Sequence, residues 1–65
     1  MNISVNGQRK TISIAKLTIA LEELGYKHMN LATALNGQFI SVDERNNTNL
    51  KEGDKLEVLS PQQGG

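Results

Sequence analysis

Few groups in this 65-residue chain could do covalent chemistry, and most of those fail on their neighbours. Cysteine is absent, which removes disulfides, thiolate nucleophiles and thiolate metal sites together. His28 is the single imidazole, and no cluster of carboxylates accompanies it, so it reads as a solvated loop residue rather than a base or a ligand. The pairs Glu22-Glu23 and Asp43-Glu44 have the composition of a general acid and its partner, but such pairs on a helix face or in a loop are ordinarily solvated. No Ser-His-Asp set can be assembled, and no glycine loop with a lysine is present to cradle a phosphate. What is left is the terminal Gly64-Gly65. Its α-carboxyl, with a typical pKa of about 3.3 to 3.7, is ionised at neutral pH and stays a poor electrophile until joined to a better leaving group. Glycines carry no Cβ, so a partner's backbone can approach them closely from both sides. Against this stands the plain reading of a glycine-rich chain end as frayed and without a role.

Length and charge narrow the setting. A chain of this size holds one domain and buries only about 60% of its unfolded surface, which disfavours a deep, water-excluded active site. Seven basic residues balance seven acidic ones, so no long-range field attracts nucleic acid or an anionic membrane. No apolar run approaches the roughly 20 residues needed to span a bilayer, and Met1 leads directly into a strand pattern. A cytoplasmic protein, monomeric when free, is expected.

The elements that must carry the tail follow from periodicity. Met1, Ile3 and Val5 alternate with Asn2 and Ser4, and Asn6-Gly7 is the preferred pair for a two-residue type I′ hairpin, so Gln8 to Ile14 should return antiparallel. In that register Val5 faces Gln8, Ile3 faces Lys10 and Met1 faces Ile12, and Ile12 and Ile14 join the apolar face. From about Ala15 the period changes: Leu17, Ala20, Leu21 and Leu24 make one helix stripe, Gly25 is a C′ cap, and Ser13 or Thr18 is the N-cap. Leu31 to Leu35 and Gln38 to Val42 flank a second hairpin pair, Asn36-Gly37. Asp43 to Asn49 reads as an irregular polar crossing, with room for one 3₁₀ turn, and Lys55 to Leu59 as a last strand with Leu56 and Val58 inward. One helix laid across a single sheet is the economical way to bury one stripe and one face. The expected fold is α+β, a β-grasp (ubiquitin-like) mixed sheet of about five strands with one main helix packed across it. Residues 1–59 form the domain and residues 60–65 a flexible C-terminal tail, where Pro61 lacks the N–H that a continuing ladder requires.

The second hairpin also offers a surface. With Leu35, Ile40 and Val42 on the helix side, Ala32, Ala34 and Phe39 face solvent, and Leu59 points outward at the base of the tail. One aromatic among small residues makes a shallow apolar patch that can anchor a partner, with Arg45, Asp54, Lys55 and Glu57 as its polar rim. The alternative is a shifted register with Phe39 in the core.

The opening Met1-Asn2-Ile3-Ser4-Val5-Asn6-Gly7, the Leu35-Asn36-Gly37 hairpin, the run Gly53-Asp54-Lys55-Leu56-Glu57-Val58 and the terminal Gly64-Gly65 together resemble the thiamine-biosynthesis sulfur carrier family (ThiS), of the ubiquitin-like MoaD/ThiS superfamily, over essentially the whole chain. The small subunit of molybdopterin synthase (MoaD family) is similar in the same features. The resemblance implies that a dedicated adenylating (ThiF-like) enzyme uses ATP to activate the Gly65 carboxylate. A sulfur donor then converts it to a 1-glycyl thiocarboxylate, whose sulfur passes to a thiazole synthase (ThiG-like) or, in the molybdenum-cofactor pathway, to a dithiolene-forming one. By that resemblance Gly64, Gln63 and Gln62 enter the partner's active site. The chain itself is then a carrier and co-substrate, not an enzyme, and binds no cofactor. A protein-conjugation tag ending on a lysine amine, and a β-grasp binding module without tail chemistry, are the other functions the pattern admits.

Overall fold

The computed structural model describes residues 1–26 and 30–60. Strands β1 (Asn2–Val5) and β2 (Gln8–Thr11) pair antiparallel, with Val5 opposite Gln8 and Ile3 opposite Lys10. Between them Asn6 and Gly7 hold φ of 52° and 84°, the positive values that a type I′ turn needs at both positions. The pairing runs one step past β2: the Ile12 N–H donates to the Met1 carbonyl at 2.9 Å, and the Met1 amino group donates to the Ile12 carbonyl at 3.1 Å. Ile12 is buried, but Ile14 is half exposed rather than on the apolar face. The reason is Ser13, whose N–H and hydroxyl both bind the Glu23 carboxylate and draw the chain off the strand.

Helix α1 (Leu17–Glu23) buries Leu17, Ala20 and Leu21, the i, i+3, i+4 set of its stripe. Burying each leucine stabilises the fold by about 1.5 to 3 kcal/mol. At its C-terminus the Tyr26 N–H donates to the Leu21 carbonyl at 2.9 Å and the Gly25 N–H to the Glu22 carbonyl at 3.0 Å, with Gly25 at φ 94°. Those two bonds make a Schellman motif, which requires a left-handed residue at Gly25. Neither Ser13 nor Thr18 caps the other end. Lys16 occupies the N-cap without a side-chain bond, and the Leu17 N–H finds its acceptor in the Thr48 carbonyl at 2.9 Å.

Strands β3 (Ala32–Leu35) and β4 (Gln38–Ile40) form the second hairpin, with Thr33 opposite Ile40, Ala34 opposite Phe39 and Leu35 opposite Gln38, as the Asn36-Gly37 turn dictates. β4 stops at Ile40, so Val42 does not face the helix. It begins a one-turn helix, α2 (Val42–Arg45), and is 67% exposed. Ser41 and Glu44 close a reciprocal capping box there, which satisfies donors that a continuing edge strand would have left to water. The crossing expected to be irregular from Asp43 therefore opens with helix.

Strand β5 (Lys55–Leu59) lies in the middle of the sheet, parallel to β1 and antiparallel to β3, giving the order β2-β1-β5-β3-β4. Leu56 and Val58 join Ile3, Val5, Ile12 and the α1 stripe in one core, with Leu50 closing it. This is the β-grasp: a five-stranded mixed sheet with its main helix on one face. No helix among the described residues is long and apolar enough to cross a membrane.

Candidate functional site

One carboxylate of each pair that had the composition for acid–base work serves the fold. Glu23 binds Ser13, and Glu44 accepts the Ser41 N–H at 3.1 Å. His28, Gln62, Gln63, Gly64 and Gly65 lie outside the described residues. Among the described residues no group of three or more His, Cys, Asp or Glu could hold a metal ion.

The structure does show the surface at the root of the tail. On β5, Lys55, Glu57 and Leu59 are exposed while Leu56 and Val58 are buried, so the strand's outer side faces away from α1. Its partners place Ala32 opposite Leu59 and Ala34 opposite Glu57, and Phe39 stands across from Ala34. Phe39 is 66% exposed and Leu59 70% exposed, which fixes the register and excludes Phe39 from the core. The alanines keep the ground low between the two large side chains. Ala32, Ala34, Phe39 and Leu59, with Glu57 and Asn6, line a hollow of about 230 Å³. A second hollow of about 350 Å³ shares Ala32 and Leu59 and reaches Ser60. The two hollows are thus continuous from Phe39 through Leu59 to Ser60, the first residue of the tail. Exposed apolar ground of this kind on a small domain can anchor a partner.

Two expected rim residues lie elsewhere. Arg45 donates from Nε to Thr33 Oγ1 at 3.2 Å and from Nη2 to the Leu31 carbonyl at 2.6 Å, and Thr33 is a buried, helix-side residue. Asp54 is 7% exposed, accepting the Lys51 N–H at 2.9 Å and the Asn36 side-chain amide at 3.1 Å. Lys55 and Glu57 keep their outward places. The sequence does not disclose the role of Arg45, whose partners sit 12 and 14 residues away, nor the bond of Asp54 to Asn36, 18 residues away; the bond of Asp54 to the Lys51 N–H is local to the Gly53-Asp54 turn.

Comparison with known proteins agrees with this geometry. The family model described as the ThiS family matches residues 3–65. No curated protein matches the chain. Among solved structures, the crystal structure of a thiamine biosynthesis protein (ThiS) from Geobacter metallireducens is 30% identical with a TM-score of 0.80, and the match covers 100% of both chains. A solution NMR structure of a thiamine biosynthesis protein from the same organism gives the same identity and TM-score and covers 100% of this chain and 88% of that one. With the family model matched across nearly its whole length and the β-grasp sheet superposing throughout, the chain belongs to the ThiS family.

Proposed function

We propose that this protein is a sulfur carrier of thiamine biosynthesis whose Gly65 carboxylate is adenylated and then converted to a thiocarboxylate. The carboxylate attacks the α-phosphorus of ATP in the partner enzyme and pyrophosphate leaves, producing an acyl-adenylate. A sulfur donor then displaces AMP, and the thiocarboxylate delivers its sulfur to a thiazole synthase. The carrier contributes no catalytic group; it presents a carboxylate on a thin tail beside a docking surface. Six residues from Ser60, extended at about 3.3 Å each, reach roughly 20 Å, enough to enter a cleft that excludes the sheet.

The observation that carries the reading is the continuous apolar surface from Phe39 through Leu59 to the root of a diglycine tail. Family membership favours the thiamine pathway over the molybdopterin one. The test is incubation with a ThiF-like enzyme, ATP and a sulfur donor, followed by intact-mass measurement. Replacement of one oxygen by sulfur at Gly65 is expected. High-mass conjugates would instead point to a tag on lysine amines, and an unchanged mass would leave a plain binding module.

A further inference from the structure

We propose that Asn6 is a positioning residue for the tail: its side-chain amide is the last fastening of β5 on the β1 side, and it sets the point from which the tail leaves the sheet. The inference rests on the carrier reading above. β1 ends at Val5 and the chain turns away through Asn6-Gly7, so the ladder along that side of β5 closes with the Asn6 N–H on the Leu56 carbonyl at 2.9 Å. Val58 is the next residue of β5 whose N–H and C=O point that way. The side chain of Asn6 meets both: Oδ1 accepts the Val58 N–H at 2.9 Å, and Nδ2 donates to the Val58 carbonyl at 3.0 Å. A side-chain amide has the donor and acceptor of a peptide unit, so it stands in for one more residue of β1. Beyond it, among the described residues, Leu59 is paired only to Ala32 of β3.

The second hairpin supplies an internal control. Asn36 occupies the same turn position, with φ 51° against 52° for Asn6. Its Oδ1 accepts the Lys55 N–H at 2.9 Å and its Nδ2 donates to Asp54 Oδ1 at 3.1 Å. Each Asn-Gly hairpin thus clamps β5 with its asparagine, Asn36 at the start of the strand and Asn6 near its end. Glycine adopts positive φ freely, so Asn→Gly at either position removes the amide and keeps the turn. Only the loss at Asn6 releases the strand end that carries the tail. Asn6→Asp also tolerates the turn, but its carboxylate cannot donate to the Val58 carbonyl.

Two measurements on Asn6→Gly, Asn6→Asp and Asn36→Gly test the assignment. Amide exchange at Val58 is expected to quicken about tenfold in Asn6→Gly after correction for global stability and to keep its wild-type rate in Asn36→Gly, while Asn6→Asp, whose carboxylate still accepts the Val58 N–H, stays near wild type at this amide. In pyrophosphate release with the adenylating enzyme and ATP, kcat for the Asn6 variants at saturating carrier is expected to fall about threefold to tenfold. Asn6 also borders the hollow beside Phe39, so KM can rise with it, whereas the fall in kcat reports the placement of the reacting carboxylate. Asn36→Gly is expected to keep both constants. Unchanged Val58 exchange in Asn6→Gly overturns the clamp. Normal wild-type turnover with identical kcat for Asn6→Gly and Asn36→Gly overturns the positioning role alone, whereas a wild-type chain that releases no pyrophosphate overturns the carrier reading and this role with it.

Discussion

Phe39 and Asn36 are neighbours in one hairpin with opposite duties, and the difference is measurable. Phe39 is two-thirds exposed, so Phe39→Asp desolvates no charge and should leave the thermal melt near wild type. The same variant places a charge in the proposed docking hollow and should weaken binding to the adenylating enzyme about tenfold or more in a titration. A melt lowered by several kcal/mol would return Phe39 to the core. Asn36→Val should show the reverse: a loss of roughly 2 kcal/mol or more in denaturant unfolding, because valine resists the positive φ and removes the bonds to Lys55 and Asp54. Gly37→Val loses only the turn conformation, since no atom stands within 4 Å of a Cβ there, and should cost about 1 kcal/mol or somewhat more. The Asn-Gly pairs announced their turns in the sequence because φ is a local property. Their side-chain bonds to β5 were not legible there, because they depend on which strand lies beside each turn.

At the scale of elements, strand and helix periods located every main element, and errors fell where a polar side chain ended one. Alternation alone carried β2 to Ile14 and β4 to Val42, yet Glu23 takes the chain at Ser13 and the Ser41–Glu44 box starts α2. The second signal stood in plain sight as Ser-x-x-Glu over 41–44. Ser41→Ala should therefore cost about 1 kcal/mol in chemical unfolding, the ordinary value of such a cap. The Glu23 contact has a pH signature. The Ser13 N–H, and next the Ser13 hydroxyl, hold the Glu23 carboxyl below its ordinary 4.5, with slight burial opposing them. A depressed folded pKa favours the native state where the group is ionised, so this contribution is complete above pH 4.5 and disappears as pH falls through the folded value. Glu23→Gln should melt lower than wild type at pH 7, and the gap should close on acidification. A gap constant with pH would show that the contact acts through packing and not through charge.

For the whole molecule, the sheet order puts β5 in the centre with its C-terminal end beside the apolar surface, so fold and tail can be separated by mutation. Composition had removed every other reactive group, and register arithmetic alone had turned Phe39 outward; the central position of β5 was legible only through family resemblance, because strand order is a long-range property. Among the described residues the core is complete at Val58. Deleting Gly65, or replacing it with valine, should therefore leave the melting curve unchanged while abolishing ATP-dependent activation. Deletion still leaves a carboxylate, on Gly64, so the loss must come from position: the reacting atom stops about 3.3 Å short, and a misplacement of even about 1 Å can cost about a hundredfold in rate. Valine keeps the length but adds a branched Cβ where the cleft of the adenylating enzyme must close on the backbone. The two variants fail for different reasons, and lengthening distinguishes them. A chain with one glycine inserted before Gly64 and Gly65 keeps the diglycine but overshoots, and its activation should fall less than that of the deletion, because a longer tail can bow whereas a shorter one cannot stretch. Pyrophosphate release followed by intact-mass detection of the thiocarboxylate measures all three variants, and normal turnover by the shortened chain would refute a carrier mechanism centred on Gly65.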